Sequence, residues 1–556
     1  MGEKNCDVVI VGAGFSGLYL LHKLRELGLS ARAIEAGGDV GGTWYWNRYP
    51  GARCDIESME YSYSWSKELE QEWEWSERYS TQPEILKYIN HVTERFDLRR
   101  DIQFDTRVMA ATYDEEANLW TVELDSGEQI AARHVVMATG CLSSPNLPQI
   151  PGMEDFEGPT YQTGLWPHEG VDFTGQTVGV IGTGSSAIQS IPVIADQAAE
   201  LTVMQRTPNF VVPAHNRPLD AREIAETKAN YPALREQARE EAAGFTGSTV
   251  VIEEMALDTP EAERTAEFER RWNYGGLRFM ASYPDIGMVM EANDTAAEFI
   301  RAKIRERVND PKTAELLCPK TYPAGAKRLC VDTDYFETYN REHVHLVDLK
   351  TTPIERITAK GVQTSDHEFE FDAIVYATGF DAMTGTLDKI AITGRGGRTL
   401  KSKWQDGPET YLGLMSEGFP NLFLVTGPQS PSVISNMIVS IEQHVDWITD
   451  CIKDVGDGWI EPMREAEKSW VGHVNFMANL TVYPYADSWY MGANIPGKPR
   501  IFMAYLGGVP GYRAICEDSR AKGYAGFTVS GVTSGVSVDY LSHLDLPEEI
   551  LALAAA

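Results

Sequence analysis

Two stretches of this chain place glycines where a nucleotide pyrophosphate needs bare backbone. Gly12-Ala-Gly14-Phe-Ser16-Gly17 follows the apolar run that starts at Asp7 and opens a helical pattern. In such a turn the first glycine permits the bend and the second lets the backbone approach phosphate. The third lets the helix pack close, and the helix N-terminus offers N–H groups to an anion. The next short β-run, residues 31–36, carries Glu35, a carboxylate placed to hydrogen-bond ribose hydroxyls. Gly182-Thr183-Gly184-Ser185-Ser186-Ala187 repeats the pattern with alanine in third place, and its second run, 201–205, ends in Arg206-Thr207 with no acid. A guanidinium there can fork onto a 2′-phosphate that a carboxylate would repel, so this site is expected to prefer NADPH to NADH. The plain alternative for Arg206 is a surface arginine closing a strand. Two dinucleotide sites on one chain suggest electron transfer between two dinucleotides.

The elements that must hold these turns are those of an α/β protein with two Rossmann-type dinucleotide-binding domains. Both fingerprints follow short, β-branched apolar runs of the kind that form central parallel strands. Two further runs, 135–141 and 374–380, each read as a buried strand ending in Ala-Thr-Gly, and each closes one half of the duplication. Residues 220–307 differ, with helical periodicity and dense charge whose runs read as solvated helix faces. The expected division is a discontinuous FAD-binding domain (1–141 and 382–556), an NADPH-binding domain (142–212 and 328–381), and a helical insertion (213–327). Residues 432–454 read as one long helix, and 485–512 as loops. His343 and His345 fall on alternating positions of a strand, without a metal site.

Forty-nine basic against eighty-one acidic residues give a net charge of −32, which argues against a surface for nucleic-acid phosphates. No run approaches the roughly 18 apolar residues of a membrane helix. The N-terminus runs straight into the first glycine turn where a signal peptide would have its apolar region. Met1-Gly2 is followed by Cys6 where a myristoylation signal needs Ser or Thr. The seven scattered cysteines contain no C-x-x-C, which fits reduced thiols in a cytoplasmic protein and speaks against a dithiol reductase.

Gly41-Gly42-Thr43-Trp44 through Tyr49-Pro50-Gly51 to Asp55 matches the signature [A/G]-G-x-W-x-x-x-x-[F/Y]-P-[G/M]-x-x-x-D at every fixed position. Phe156-x-Gly158 and Trp166-Pro167 follow the longer fingerprint F-x-G-x-x-x-H-x-x-x-W-[P/D], except that Gln162 stands at the histidine position. With the segments 325–328 and 489–500, these motifs resemble type I Baeyer–Villiger monooxygenases nearly end to end, the phenylacetone and steroid monooxygenase branch most of all. The resemblance implies that Gly12, Gly14, Ser16, Gly17, Glu35, Thr43, Trp44, Asp55 and Tyr61 hold FAD. It likewise implies that Arg53, Gly182, Thr183, Gly184, Ser185, Ser186, Ala187, Gln189, Arg206, Thr207, Lys327 and Trp489 hold NADPH, and that Met437 lines the substrate pocket.

It also implies a reaction: NADPH reduces FAD, O2 adds to give a C4a-peroxyflavin, and this attacks a ketone carbonyl to leave an ester or lactone. Anionic oxygen on that route calls for a fixed cation, which the resemblance assigns to Arg328 with Asp55 as its holding carboxylate. A structural ion pair is the plain alternative. Gln162 cannot titrate as histidine does, so it bears on coupling and domain motion more than on the reaction class. The competing readings are a flavin-containing N- or S-monooxygenase, and an uncoupled NADPH oxidase or non-catalytic flavoprotein.

Overall fold

The computed structural model describes residues 5–535 and 538–544; Met1, Gly2 and the end of the expected FAD-binding segment lie outside them. The first sheet is built around Cys6–Val11, which pairs in parallel with Ala31–Ile34 on one side and Gln129–Met137 on the other. Val8, Val9 and Ile10 are fully buried, as a strand covered on both faces must be. Each such side chain contributes about 1.5–3 kcal/mol by leaving water. Val108–Asp114 and Leu119–Leu124 extend this sheet as an antiparallel meander. Two late segments return to it: Ala391–Thr393 pairs with Val108–Asp114, and Leu422–Leu424 pairs with Gln129–Met137.

The second sheet is wholly parallel, in the order Val344–Asp348, Glu200–Gln205, Thr177–Ile181, Ala373–Tyr376, Thr160–Gln162. Gln162 therefore ends an edge strand. The stretch expected to be an insertion, 213–327, carries the helices Ala221–Glu240, Glu261–Tyr274, Met290–Arg307 and Pro311–Leu317. Asp220 caps the first of them by accepting the Glu223 N–H. A short parallel pair, Val211–Pro213 with Cys330–Asp332, closes the insertion at its base.

Two expectations change. The helix expected from 432 begins at Met437, because Asn436 caps it and Ser432 lies at φ +36°. The stretch expected to be loop to 512 yields to a helix, Val509–Ala521, three residues earlier than its end. His343 and His345 bond Ala195 O and Glu200. Among the described residues no helix is long and apolar enough to cross a membrane, and no group of three or more His, Cys, Asp or Glu could hold a metal.

Candidate active site

The two glycine turns sit at the C-terminal ends of their central strands, each opening a helix, Phe15–Glu26 and Ser185–Ala195. In the first, a Cβ on Gly14 would lie 3.3 Å from Gly42 Cα, so two glycine-bearing loops meet back to back. In the second, nothing lies within 4 Å of the Gly184 Cβ position, which leaves the turn open for a ligand. Glu35 is buried, and its two oxygens accept the N–H groups of Ala13 and Gly37, both at 2.7 Å. Burial pushes this carboxyl up while the two N–H groups pull it down, and burial prevails. The residue expected to meet ribose thus also braces the turn.

The family signature proves to be a joint between domains. Gly51, at φ +80°, lies against the second domain's helix, and a Cβ there would stand 2.1 Å from Gln189 O. Gln189 Oε1 accepts from Tyr49 Oη at 2.8 Å, and its Nε2 donates to Arg53 O at 3.1 Å. Arg53 itself pairs with Glu77 at 3.4 Å. Trp44 Nε1 donates to Tyr61 Oη at 3.2 Å. The joint fixes the backbone two residues before Asp55.

Asp55 meets Arg328 across 273 residues of sequence. Arg328 Nε and Nη2 both reach Asp55 Oδ2, at 2.8 and 2.7 Å, and Nη1 donates to Val433 O at 2.7 Å. Two of the five guanidinium N–H groups donate these hydrogen bonds, the Nη2 contact is an ion pair, and Tyr490 takes a further bond, which still leaves donors free. Burial favours the neutral form of Arg328, but Asp55, with help from Tyr490, outweighs it and raises the group further above its ordinary value. It is a permanent cation.

A second cationic group lies beside the second turn. Lys327, half-buried over the Tyr322 ring at 4.8 Å, is pulled down by burial and then by Arg206, with Lys350 adding to the effect. Asp487 offsets part of this, and the like charges gathered there suit a phosphate dianion. Thr183 Oγ1 bonds Thr207 O at 2.8 Å, Ser185 Oγ lies 3.3 Å from Cys330 Sγ, and Ser186 Oγ lies 3.4 Å from Thr163 Oγ1. Ala187 and Ser16 are buried under their turns. Met437 begins its helix where Asn436 N bonds Ala243 O of the insertion. Trp489 is half-buried, its ring 4.0 Å from that of Tyr490. Sequence reasoning missed Tyr490, Tyr49 and the Val433 carbonyl; the first two stand inside quoted motifs, whereas a backbone carbonyl carries no signal.

Two dinucleotide turns on parallel sheets, with a fixed cation beside them, define an oxidoreductase that uses a flavin and a nicotinamide nucleotide. A family model described as pyridine nucleotide-disulphide oxidoreductase matches residues 9–235, yet the seven cysteines are all buried and include no C-x-x-C pair. A Baeyer-Villiger monooxygenase from Pseudooceanicola batsensis is 45% identical over 525 residues, covering 93% of this chain and 95% of its own. A phenazine N-monooxygenase from Lysobacter antibioticus is 43% identical over 539 residues, covering 94% and 97%. The structure of an oxidised steroid monooxygenase bound to NADP superposes with a TM-score of 0.90 at 52% identity, covering 95% of this chain and all of that one. The chain belongs to the Baeyer–Villiger monooxygenases, flavoproteins that use FAD, NADPH and O2 to convert ketones to esters or lactones.

Proposed function

We propose that this chain oxygenates cyclic, aryl or steroid-like ketones, with Arg328 as the catalytic cation and Asp55 as the group that holds it. The observation that carries this is Arg328 clamped on two sides, by Asp55 Oδ2 and by Val433 O, with guanidinium donors left over. Curated relatives include a cyclohexanone and a cyclopentanone 1,2-monooxygenase, which supports cyclic ketones as the first substrates to try. FAD, bound and reduced by NADPH, would activate O2, one atom of which enters the ketone while the other leaves as water. The chain's own part is to bind, orient and stabilise. Arg328 faces negative charge as it develops on oxygen at the carbonyl, and being preorganised it needs no rearrangement at that moment. Asp55 keeps the guanidinium from turning away. Lys327 and Arg206 take the 2′-phosphate, Gly184 and Ser185 the pyrophosphate, and Met437 borders the ketone.

The domain division follows the sheets: FAD on 1–141 with 382–556, NADPH on 142–212 with 328–381, and 213–327 as an insertion that walls the site. Scattered, buried cysteines with no C-x-x-C support a cytoplasmic setting, and the −32 charge supports the absence of nucleic-acid partners. The test is a ketone panel with lactone detection on wild type and Arg328→Ala. Wild type should form esters; the variant should keep FAD and its reduction by NADPH yet form none. Normal ester yield from the variant sinks the assignment. The phenazine N-monooxygenase relative makes N-heteroaromatics the second substrate class, and N-oxide formation without ester would favour it.

A further inference from the structure

The Val433 carbonyl that holds Arg328 belongs to an unusual turn. Residues 422–433 are all buried, and three of them that are not glycine lie at positive φ: Thr426 at +53°, Gln429 at +70° and Ser432 at +36°. Such backbone persists only where its surroundings over-determine it, and it gathers at functional sites. Here the surroundings can be named. Val425 N donates to Met137 O at the end of a central strand. The Gln429 side chain bonds Thr410 and Pro408 O. Cys141 Sγ spans the turn's two ends, 3.2 Å from Thr426 O and 2.9 Å from Ser432 Oγ. The N–H of Thr426 donates to Nδ1 of His444, at 2.9 Å.

The last contact is informative. A backbone N–H can only donate, so Nδ1 must carry a lone pair and the ring proton sits on Nε2. Nε2 is buried with no hydrogen-bond partner among the described residues, its ring 5.5 Å from that of Tyr512. A buried imidazole kept for packing alone would be served as well by leucine or phenylalanine. This ring leaves one nitrogen unsatisfied while the other secures the first strained residue of the turn.

We propose that His444 is a positioning residue for Arg328: by accepting the Thr426 N–H it holds the 426–433 turn in the strained form that delivers the Val433 carbonyl to the guanidinium. The proposal rests on Arg328 being the cation of the oxygenation step, but its structural half can be tested apart from that reading.

The experiment uses the full-length, FAD-loaded protein with cyclohexanone as probe, in wild type, His444→Leu and His444→Asn. Asparagine places Oδ1 close to where Nδ1 stands and can accept the same N–H; leucine cannot. Two quantities are read: ester formed per NADPH consumed, and amide hydrogen exchange across residues 425–436. The leucine variant should lose ester per NADPH at least tenfold, with its NADPH KM within twofold of wild type, and exchange faster across the turn. The asparagine variant should recover to within about threefold on both readouts. Equal losses in the two variants, or unchanged exchange in the leucine variant, would overturn the proposal. Should Arg328→Ala make normal ester while His444→Leu still opens the turn, the reading of Arg328 falls and the role of His444 in the turn stands. If the leucine variant does not fold, Thr426→Gly decides. Glycine adopts positive φ freely, so His444→Leu should fold in that background and exchange within about threefold of Thr426→Gly alone, and failure to fold there too counts against the clamp.

Discussion

Replacing Asp55 by asparagine removes the charge that holds Arg328 and almost none of the volume. Both guanidinium contacts converge on Oδ2, at 2.8 and 2.7 Å, so the amide can still accept, but as a neutral group. Hydrogen bonds to a charged partner contribute about 1.5–3 kcal/mol and neutral ones about 0.5–1.5 kcal/mol. Arg328 stays charged, so its hydrogen bond to the amide drops only within the charged range, and with the ion-pair attraction of Nη2 gone as well the loss is about 2 kcal/mol. Breaking a fully buried pair costs about 3–5 kcal/mol, but these side chains are 24% and 23% exposed, and solvent screening argues for the smaller figure. If that loss falls on orientation of the cation as charge develops, ester formation slows about thirtyfold. Stopped-flow reduction of FAD by NADPH, set beside the rate of lactone formation from cyclohexanone, separates the steps; reduction should stay within about threefold of wild type. Equal slowing of both steps would mean that Asp55 serves the fold and not the cation, and the reasoning from the Arg328 clamp would fail.

Arg206→Ala should weaken NADPH binding about tenfold or more and NADH little, because only NADPH carries the 2′-phosphate; titration of both nucleotides checks it, and equal losses would make Arg206 structural. Gln162 accepts the Gly164 N–H at 2.6 Å and donates to Gly379 O at 3.4 Å, so it touches the second of the two connections between domains. In Gln162→His only the unprotonated ring can keep the first bond, so ester per NADPH should become pH-dependent between about pH 5 and 8 while regiochemistry holds; an altered product ratio with flat coupling would place residue 162 in the substrate pocket. Burial lowers His444 to about 3 from the ordinary 6.5. The unfolded chain takes up that proton first, so the stability tied to the neutral ring is present above pH 6.5 and drains away as pH falls toward 3, by about 1.4 kcal/mol per unit. The melting midpoint of wild type should therefore fall relative to that of His444→Asn between pH 7 and 5, and a constant difference would refute it.

What the sequence showed of this site divides by physical cause. The glycine turns were legible because a tight bend and a bare approach to phosphate are local demands met by local residue types. A second nucleotide of the NADP kind was legible because a carboxylate is missing beside Arg206 where the other fingerprint has Glu35. Asp55 and Arg328 were legible as types and as family positions, though not as a pair in contact across 273 residues. Residues 432–436 were misread because their apolar spacing continues the helix that follows. Tertiary contacts decided otherwise: Asn436 Oδ1 caps at Ile438 N, its Nδ2 reaches Glu60 O in the segment after Asp55, and Ser432 is turned to φ +36°. The helix starts late, and the preceding residues turn a carbonyl, not a side chain, toward the Arg328 guanidinium. A hydrogen bond from Arg328 to Val433 O joins residues 105 apart, and its acceptor is a group that every residue carries. No residue type marks such a position. What marks it is a nearby side chain with no better reason to be buried where it is, and His444, with one ring nitrogen bonded and the other without a partner among the described residues, is that residue here.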